Sequence, residues 1–181
     1  MNKIINTIWE AVKVIGLALL IVVPIRYFLF QPFFVQGQSM EPNFETGDYL
    51  IIDELSYRFN DLARGDIVVL KYPPDPSQRF IKRIIGLPEE TVDISDGEIT
   101  ITKGSATAPL NESAYLFLPF GTSGSVHLTL KDNEYFVLGD NRAVSFDSRR
   151  WGPLPRNMIV GRVLFRAWPF TVFGKVAPLA N

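Results

Sequence analysis

Beyond Arg26 no long segment carries a 3.6-residue apolar period, and Gly, Pro, Asn and Asp interrupt the chain every few residues. Such a pattern excludes a helical bundle and leaves short strands. The candidates are "FFVQG", "DYLIID", "DIVVLKY", "RFIKRIIG", "TVDIS", "EITITKG", "VHLTL", "EYFVLGD" and "IVGRVLFRAW", with turns at "YPPDPS" and "SDGE". The expected class is mainly β, an antiparallel sheet domain. The less regular "TAPLNESAYLFLPFGTSGS" reads as part of a small variable lobe or surface insert over residues 93–130, without chemistry of its own. The terminal "RVLFRAWPFTVFGKV" is apolar, but Arg162, Arg166 and Lys175 interrupt it, so a final strand with an aromatic tail is expected rather than a second membrane span. Its rings, with those of "YFLFQPFF", either pack in the core or rest on a bilayer surface.

The N-terminal segment is different. Residues Val14–Ile25, "VIGLALLIVVPI", carry no charge, and apolar character extends back to Ile4. The uncharged run is shorter than the roughly 20 residues a spanning helix needs, so a span requires Lys13 or Arg26 to snorkel and Trp9 to lie near an interface. A cleaved signal peptide would end in a small-x-small site, and "PIRYFLFQPFF" offers none. Residues 1–30 therefore read as a cytoplasmic tip and one transmembrane anchor, and 31–181 as a β-rich domain. Lys3, Lys13 and the terminal amine precede the run, while Glu41, Glu45 and Asp48 follow it, so the N-terminus is expected inside and the domain outside.

Composition removes several function classes. Of the 181 residues 47% are hydrophobic, enough for a buried core, and the net charge of -1 with scattered signs gives no footprint for nucleic acid. The absence of cysteine excludes disulfides, thiolate catalysis and cysteine-ligated zinc. One histidine, His127, cannot build a multi-histidine metal site, so neither a metal nor another cofactor is expected.

Three stretches could carry chemistry. In "QGQSMEPNF", Ser39 is either a turn residue or a nucleophile that needs a base. His127, in "SVHLTL", has no acid nearby in sequence to fix its tautomer and reads as a strand histidine, which makes a Ser-His-Asp triad a poor fit. The other available base is a neutral lysine. In "RFIKRIIG", Lys82 shares a strand face with Phe80 and Ile84, and burial there would disfavour its ammonium form. The alternative is a lysine whose stem covers apolar surface while its head reaches water. The third stretch, "LGDNRAVSFDSRRWGPLP", gathers Gly139, Asp140 and Asn141 in a turn, the hydroxyls of Ser145 and Ser148, and an Asp147/Arg149 pair.

Together these segments resemble the type I signal peptidases, membrane-anchored Ser/Lys proteases that remove signal peptides from exported proteins. The matching residues are "SMEP", "RGDIVVLKYP" with "FIKRIIGLPEE", and "GDNRAVSFDSRRWG", in the family's order and spacing. The resemblance implies Ser39 as nucleophile, Lys82 as general base and Ser145 as the hydroxyl that orients the lysine. Asp147 and Arg149 would pair to hold the third box, with Asp140 and Arg83 in a supporting role. One branch of the family has a serine where this chain has Gly37, so the oxyanion hole near Gly37 would rely on backbone donors, the Ser39 N–H among them. Asn43 stands where a threonine is common, a change expected to matter little. Phe33, Val35, Met40 and Ile81 would form substrate pockets that admit small-x-small ends of signal peptides laid along the "FFVQGQS" edge. Simple alternation places Ile81 on the face opposite Lys82, against that assignment.

The implied partners are preprotein signal peptides and the lipid bilayer, and the implied location is the cell membrane or a thylakoid membrane. Two other readings remain at this stage. A self-cleaving Ser/Lys repressor protease would need a helical DNA-binding domain, where this chain has an apolar segment. An anchored β-rich module that binds exported peptides without cutting them has no evident use for Ser39, Lys82 and Ser145 together.

Overall fold

The computed structural model describes residues 2–28, 30–55, 60–116 and 121–176; the side chains of 21–31 lie outside that description. A helix, α1 (Asn2–Phe28), precedes strand β1 (Phe30–Phe34). Apolar side chains project into solvent along the described part of α1, Ile4, Ile8, Leu17 and Leu20 each being more than half exposed. Among the described residues no helix is long and apolar enough to cross a membrane. Much of the apolar run "LIVVPI" belongs to the residues whose side chains are not described, so the expected anchor is seen as a helix and not as a span.

The rest is antiparallel sheet. The order of strands after β1 is β2 (Tyr49–Asp53), β3 (Ile67–Tyr72), β4 (Asp75–Gly86), β5 (Thr91–Ser95), β6 (Glu98–Lys103), β7 (Ala106–Pro109), β8 (Val126–Thr129), β9 (Glu134–Leu138), β10 (Leu154–Pro155), β11 (Ile159–Trp168) and β12 (Gly174–Lys175). One sheet runs β1-β2-β11-β3-β4-β9-β10 with β12 on β11, and a second runs β7-β6-β5-β8. A one-turn helix, α2 (Ser148–Trp151), follows β9.

Each strand read from the sequence has an observed counterpart, and the departures have local causes. The segment "FFVQG" pairs only as far as Phe34, because the chain turns away toward Ser39. The turn expected over "YPPDPS" shrinks to Pro73 and Pro74, since Asp75 already pairs with Tyr72. The register then jumps to Lys71 opposite Arg79, so Pro76 sits in a bulge where no ladder N–H is required. Strands β7, β10 and β12 are too short, at two to four residues, to leave a periodic signal.

Three apolar clusters hold the fold. Val35, Met40, Phe44, Leu50, Ile52 and Ile81 pack on one face of the large sheet. Val68, Leu70, Ile84 and Val137 pack on the other, with Phe80 and Trp151 against them. Ile85, Phe136 and Leu138 join the large sheet to Val92, Ile94, Ile99 and Ile101 of the small one. Trp168, at the end of β11, and Phe170 and Phe173 beyond it are each more than half exposed, while Val176 packs against the first cluster.

Candidate active site

The turn that carries Ser39 is anchored on both sides. Val35 N–H donates to Asp48 O at 3.0 Å, and Phe44 N–H donates to Met40 O at 2.9 Å. Met40 is fully buried, so the core clamps the residue after Ser39 while Ser39 itself stays partly exposed. Gly37 takes φ +93°, a left-handed backbone that a side chain would strain. Its N–H and its carbonyl both bond to Thr46 Oγ1, at 3.1 and 3.2 Å.

Strand β4 brings Lys82 to this turn. Lys82 Nζ donates to Ser39 Oγ at 2.7 Å and to Ile81 O at 2.9 Å, and it lies 5.3 Å from the centroid of the Phe80 ring. The lysine is 3% exposed, and burial pulls its pKa down from 10.5 to about 8, against the opposing pull of Asp147 and Asp140. A neutral amine is therefore within reach near neutral pH. The Ser39 N–H has no hydrogen-bond partner among the described residues, which leaves it free to meet an oxyanion.

The third stretch packs behind this pair. Asn141 N–H donates to Ser39 O at 3.0 Å, tying the turn after β9 to the Ser39 turn. Gly139 has no room for a side chain, since a Cβ would run into Ser145 Oγ and Ser39 O. Asp147, fully buried, takes a two-pronged ion pair from Arg149 at 2.8 and 2.9 Å and a bond from Gly139 N–H at 3.1 Å. Asp140 takes the same kind of pair from Arg83 at 2.8 and 2.6 Å, and Arg83 also reaches Gly65 O at 3.0 Å. Ser145 Oγ is buried and makes no hydrogen bond among the described residues, to Lys82 or to any other group.

A cleft of about 380 Å³ opens beside Ser39 and Lys82, lined among others by Phe33, Phe34, Gln36, Arg79, Phe80 and Ile81. Phe33 and Ile81 thus line the cleft, although alternation had set Ile81 opposite Lys82. Val35 and Met40 do not: both are buried core residues, packed with Phe44, Leu50 and Ile52.

The family described as signal peptidase, peptidase S26, matches residues 8–168. The chain belongs to that family. Signal peptidase I of Leptolyngbya laminosa is 36% identical over 180 residues, covering 96% of this chain and 86% of the relative. A probable signal peptidase I-2 of Synechocystis sp. is 38% identical over 170 residues, 91% of this chain and 75% of the relative. A probable chloroplastic thylakoidal processing peptidase 2 of Arabidopsis thaliana is 33% identical, over 93% of this chain and 46% of that longer relative. As a member of the S26 signal peptidases the chain is a serine peptidase.

Sequence reasoning missed two features of this S26 peptidase. Asn43, expected to matter little, bonds Asp140 Oδ2 at 2.9 Å and Tyr115 O at 2.8 Å. His127 does have an acid partner, Asp93 Oδ2 at 2.8 Å, supplied across the β5–β8 pairing. That pair lies exposed on the small sheet, outside the Ser39 cleft. Among the described residues no group of acids and histidines could hold a metal ion.

Proposed function

We propose that this peptidase removes N-terminal signal peptides from exported preproteins through a Ser39/Lys82 dyad and an acyl-enzyme, cutting after small-x-small residues. The observation that carries the reading is the 2.7 Å bond between Ser39 Oγ and a lysine 3% exposed. Neutral Lys82 accepts the Ser39 proton as Oγ attacks the scissile carbonyl, and the Ser39 N–H receives the developing oxyanion. The resulting ammonium gives its proton to the departing amine as the C–N bond breaks. Water then attacks the ester, Lys82 takes the water's proton, and the proton returns to Ser39 Oγ as the acid leaves.

The same reading assigns the supporting roles. Ser145, a buried hydroxyl with no other bond to keep, is assigned to orient Lys82. Asp147 with Arg149, and Asp140 with Arg83, hold the turn that backs Ser39. Phe33 and Ile81 line the cleft and are assigned to restrict it to alanine-sized side chains, and the edge of β1 is assigned to offer main-chain bonds to an extended peptide.

Residues 1–30 are assigned to a single membrane anchor with a cytoplasmic N-terminus, and 31–181, with its lobe at 93–130, to the far side of a plasma or thylakoid membrane. The support is the 27-residue length of α1, about 40 Å at helical rise, with apolar side chains that no protein surface covers. Exposed Trp168, Phe170 and Phe173 suit contact with the same bilayer. The test is preprotein processing in detergent: Ser39→Ala and Lys82→Ala each abolish cleavage, and activity retained by either defeats the mechanism.

A further inference from the structure

The lobe reaches back to the turn behind Ser39. Glu112 and Tyr115 sit on one turn of chain, closed by Tyr115 N–H and Leu116 N–H donating to Glu112 O at 3.1 and 2.9 Å. From this turn the Glu112 carboxylate grips the Arg142 guanidinium with both oxygens, Oε2 accepting from Nη1 at 2.9 Å and Oε1 from Nη2. Both side chains are largely buried, 15% and 4% exposed. Tyr115 donates its hydroxyl to the same carboxylate and lays its ring over the Arg83 guanidinium, 4.1 Å from the centroid.

Arg142 passes this grip to the catalytic turn. Its Nε donates to Gly139 O at 3.0 Å, and its neighbour Asn141 donates to Ser39 O at 3.0 Å. Gly139 already touches Ser145 and Ser39 with no spare volume. Displacing the turn would move both the Ser39 backbone and the Ser145 hydroxyl.

We infer that Glu112 is a positioning residue for catalysis: by clamping Arg142 from the lobe, it sets the Gly139–Asn141 turn against Ser39. Without Glu112 the hydrogen-bond partners left to the buried guanidinium among the described residues are neutral, Thr122 Oγ1 and Gly139 O, and it must swing to find water or another carboxylate. Among the described residues none of 93–130 lines the cleft, so substrate contacts there stay in place. The inference rests on the Ser39/Lys82 reading above.

The test measures kcat and KM on a preprotein with the full chain in detergent, with active sites counted by acylation of Ser39. Glu112→Ala lowers kcat per labelled site by about tenfold or more, since small misplacements of reacting groups are costly, while KM stays within about twofold. Glu112→Asp, which restores the charge, recovers most of the loss. If Glu112→Ala does not fold, Glu112→Gln decides, because it keeps the shape and loses the charge. An unchanged kcat per labelled site, or a loss confined to the number of labelled sites or to Tm, overturns the role. Ser39→Ala, run alongside, separates the two failures: activity there defeats the parent mechanism, whereas an inactive Ser39→Ala beside a fully active Glu112→Ala defeats only the clamp.

Discussion

Asn43 Nδ2 donates to Asp140 Oδ2 at 2.9 Å, which links the turn after Ser39 to the turn after β9 through one side chain. Asp140 Oδ2 also accepts from Arg83 Nη2 at 2.6 Å, so Asn43 completes a shared carboxylate rather than decorating a surface. Asn43→Ala removes this bond and the one to Tyr115 O, which leaves Asp140 Oδ2 with Arg83 alone and takes the side-chain donor from the Tyr115 carbonyl. The expected loss is about 1–3 kcal/mol by denaturant unfolding, with a fall in kcat. Asn43→Asp is worse, since it sets a second carboxylate against Asp140. A variant as stable and active as the parent would show that the link is dispensable.

Lys82 titrates from 10.5 in an open chain to about 8 when folded, with burial as the leading cause. Its neutral form grows as pH rises, so the rate of Ser39 acylation climbs through about pH 8 and levels off above it. A profile flat from pH 6 to 10 would remove the lysine as base. The same shift has a cost for folding. Between about pH 8 and 10.5 the unfolded chain binds the extra proton, so stability rises with pH across that window. Below it both states are protonated and the full cost, about 3 kcal/mol, remains. Lys82→Met is therefore expected to abolish cleavage and raise Tm at pH 7, read by thermal unfolding.

Strands β5 and β6 were legible because burial alternates along them, and β3, β4 and β9 because short apolar runs, buried on both faces, stand between turn residues. Local chemistry left Ser39 a turn residue or a nucleophile and Lys82 a base or a snorkelling lysine; only the joint resemblance of three stretches paired them, and the fold sets them 2.7 Å apart. What could not be read was how distant elements meet. Asn43 reaches Asp140 across 97 residues, and Glu112 reaches Arg142 across 30, neither leaving a periodic or compositional trace. Val35 and Met40, expected as pocket residues, are buried in the core, and alternation along β1 carries no sign of where a cleft opens. Ile81 shows the converse, since the cleft wraps round the strand and takes in residues from both faces.

Asp147 is fully buried between Arg149 and Gly139 N–H, and its charge helps hold the Lys82 pKa up. Asp147→Asn breaks a buried pair from one side and leaves Arg149 uncompensated, an expected cost of about 3–5 kcal/mol. In the fraction that folds, Lys82 loses a favourable charge, so the midpoint of the activity–pH curve moves below the parent's. Unfolding measurements and the pH profile check the two effects separately. By contrast, His127→Ala removes only the exposed bond to Asp93 and should leave both within error.

Gly37 holds φ +93° with open space where a Cβ would stand, and Thr46 Oγ1 engages both its N–H and its carbonyl. A serine here would bring the hydroxyl that one branch of the signal peptidases carries, and nothing nearby would clash with it. The backbone is the obstacle. A side chain at this φ costs about 1 kcal/mol or more, and relief of that strain would pull Gly37 off Thr46 and shift the turn that leads to Ser39. Gly37→Ser is therefore expected to lower Tm without raising kcat, despite the added donor. Thr46→Val, which removes the hydroxyl and keeps the shape, should lower kcat in the same direction if that turn geometry governs the oxyanion site. A Gly37→Ser enzyme faster than the parent would mean instead that the backbone relaxes freely and that the missing hydroxyl limits the rate.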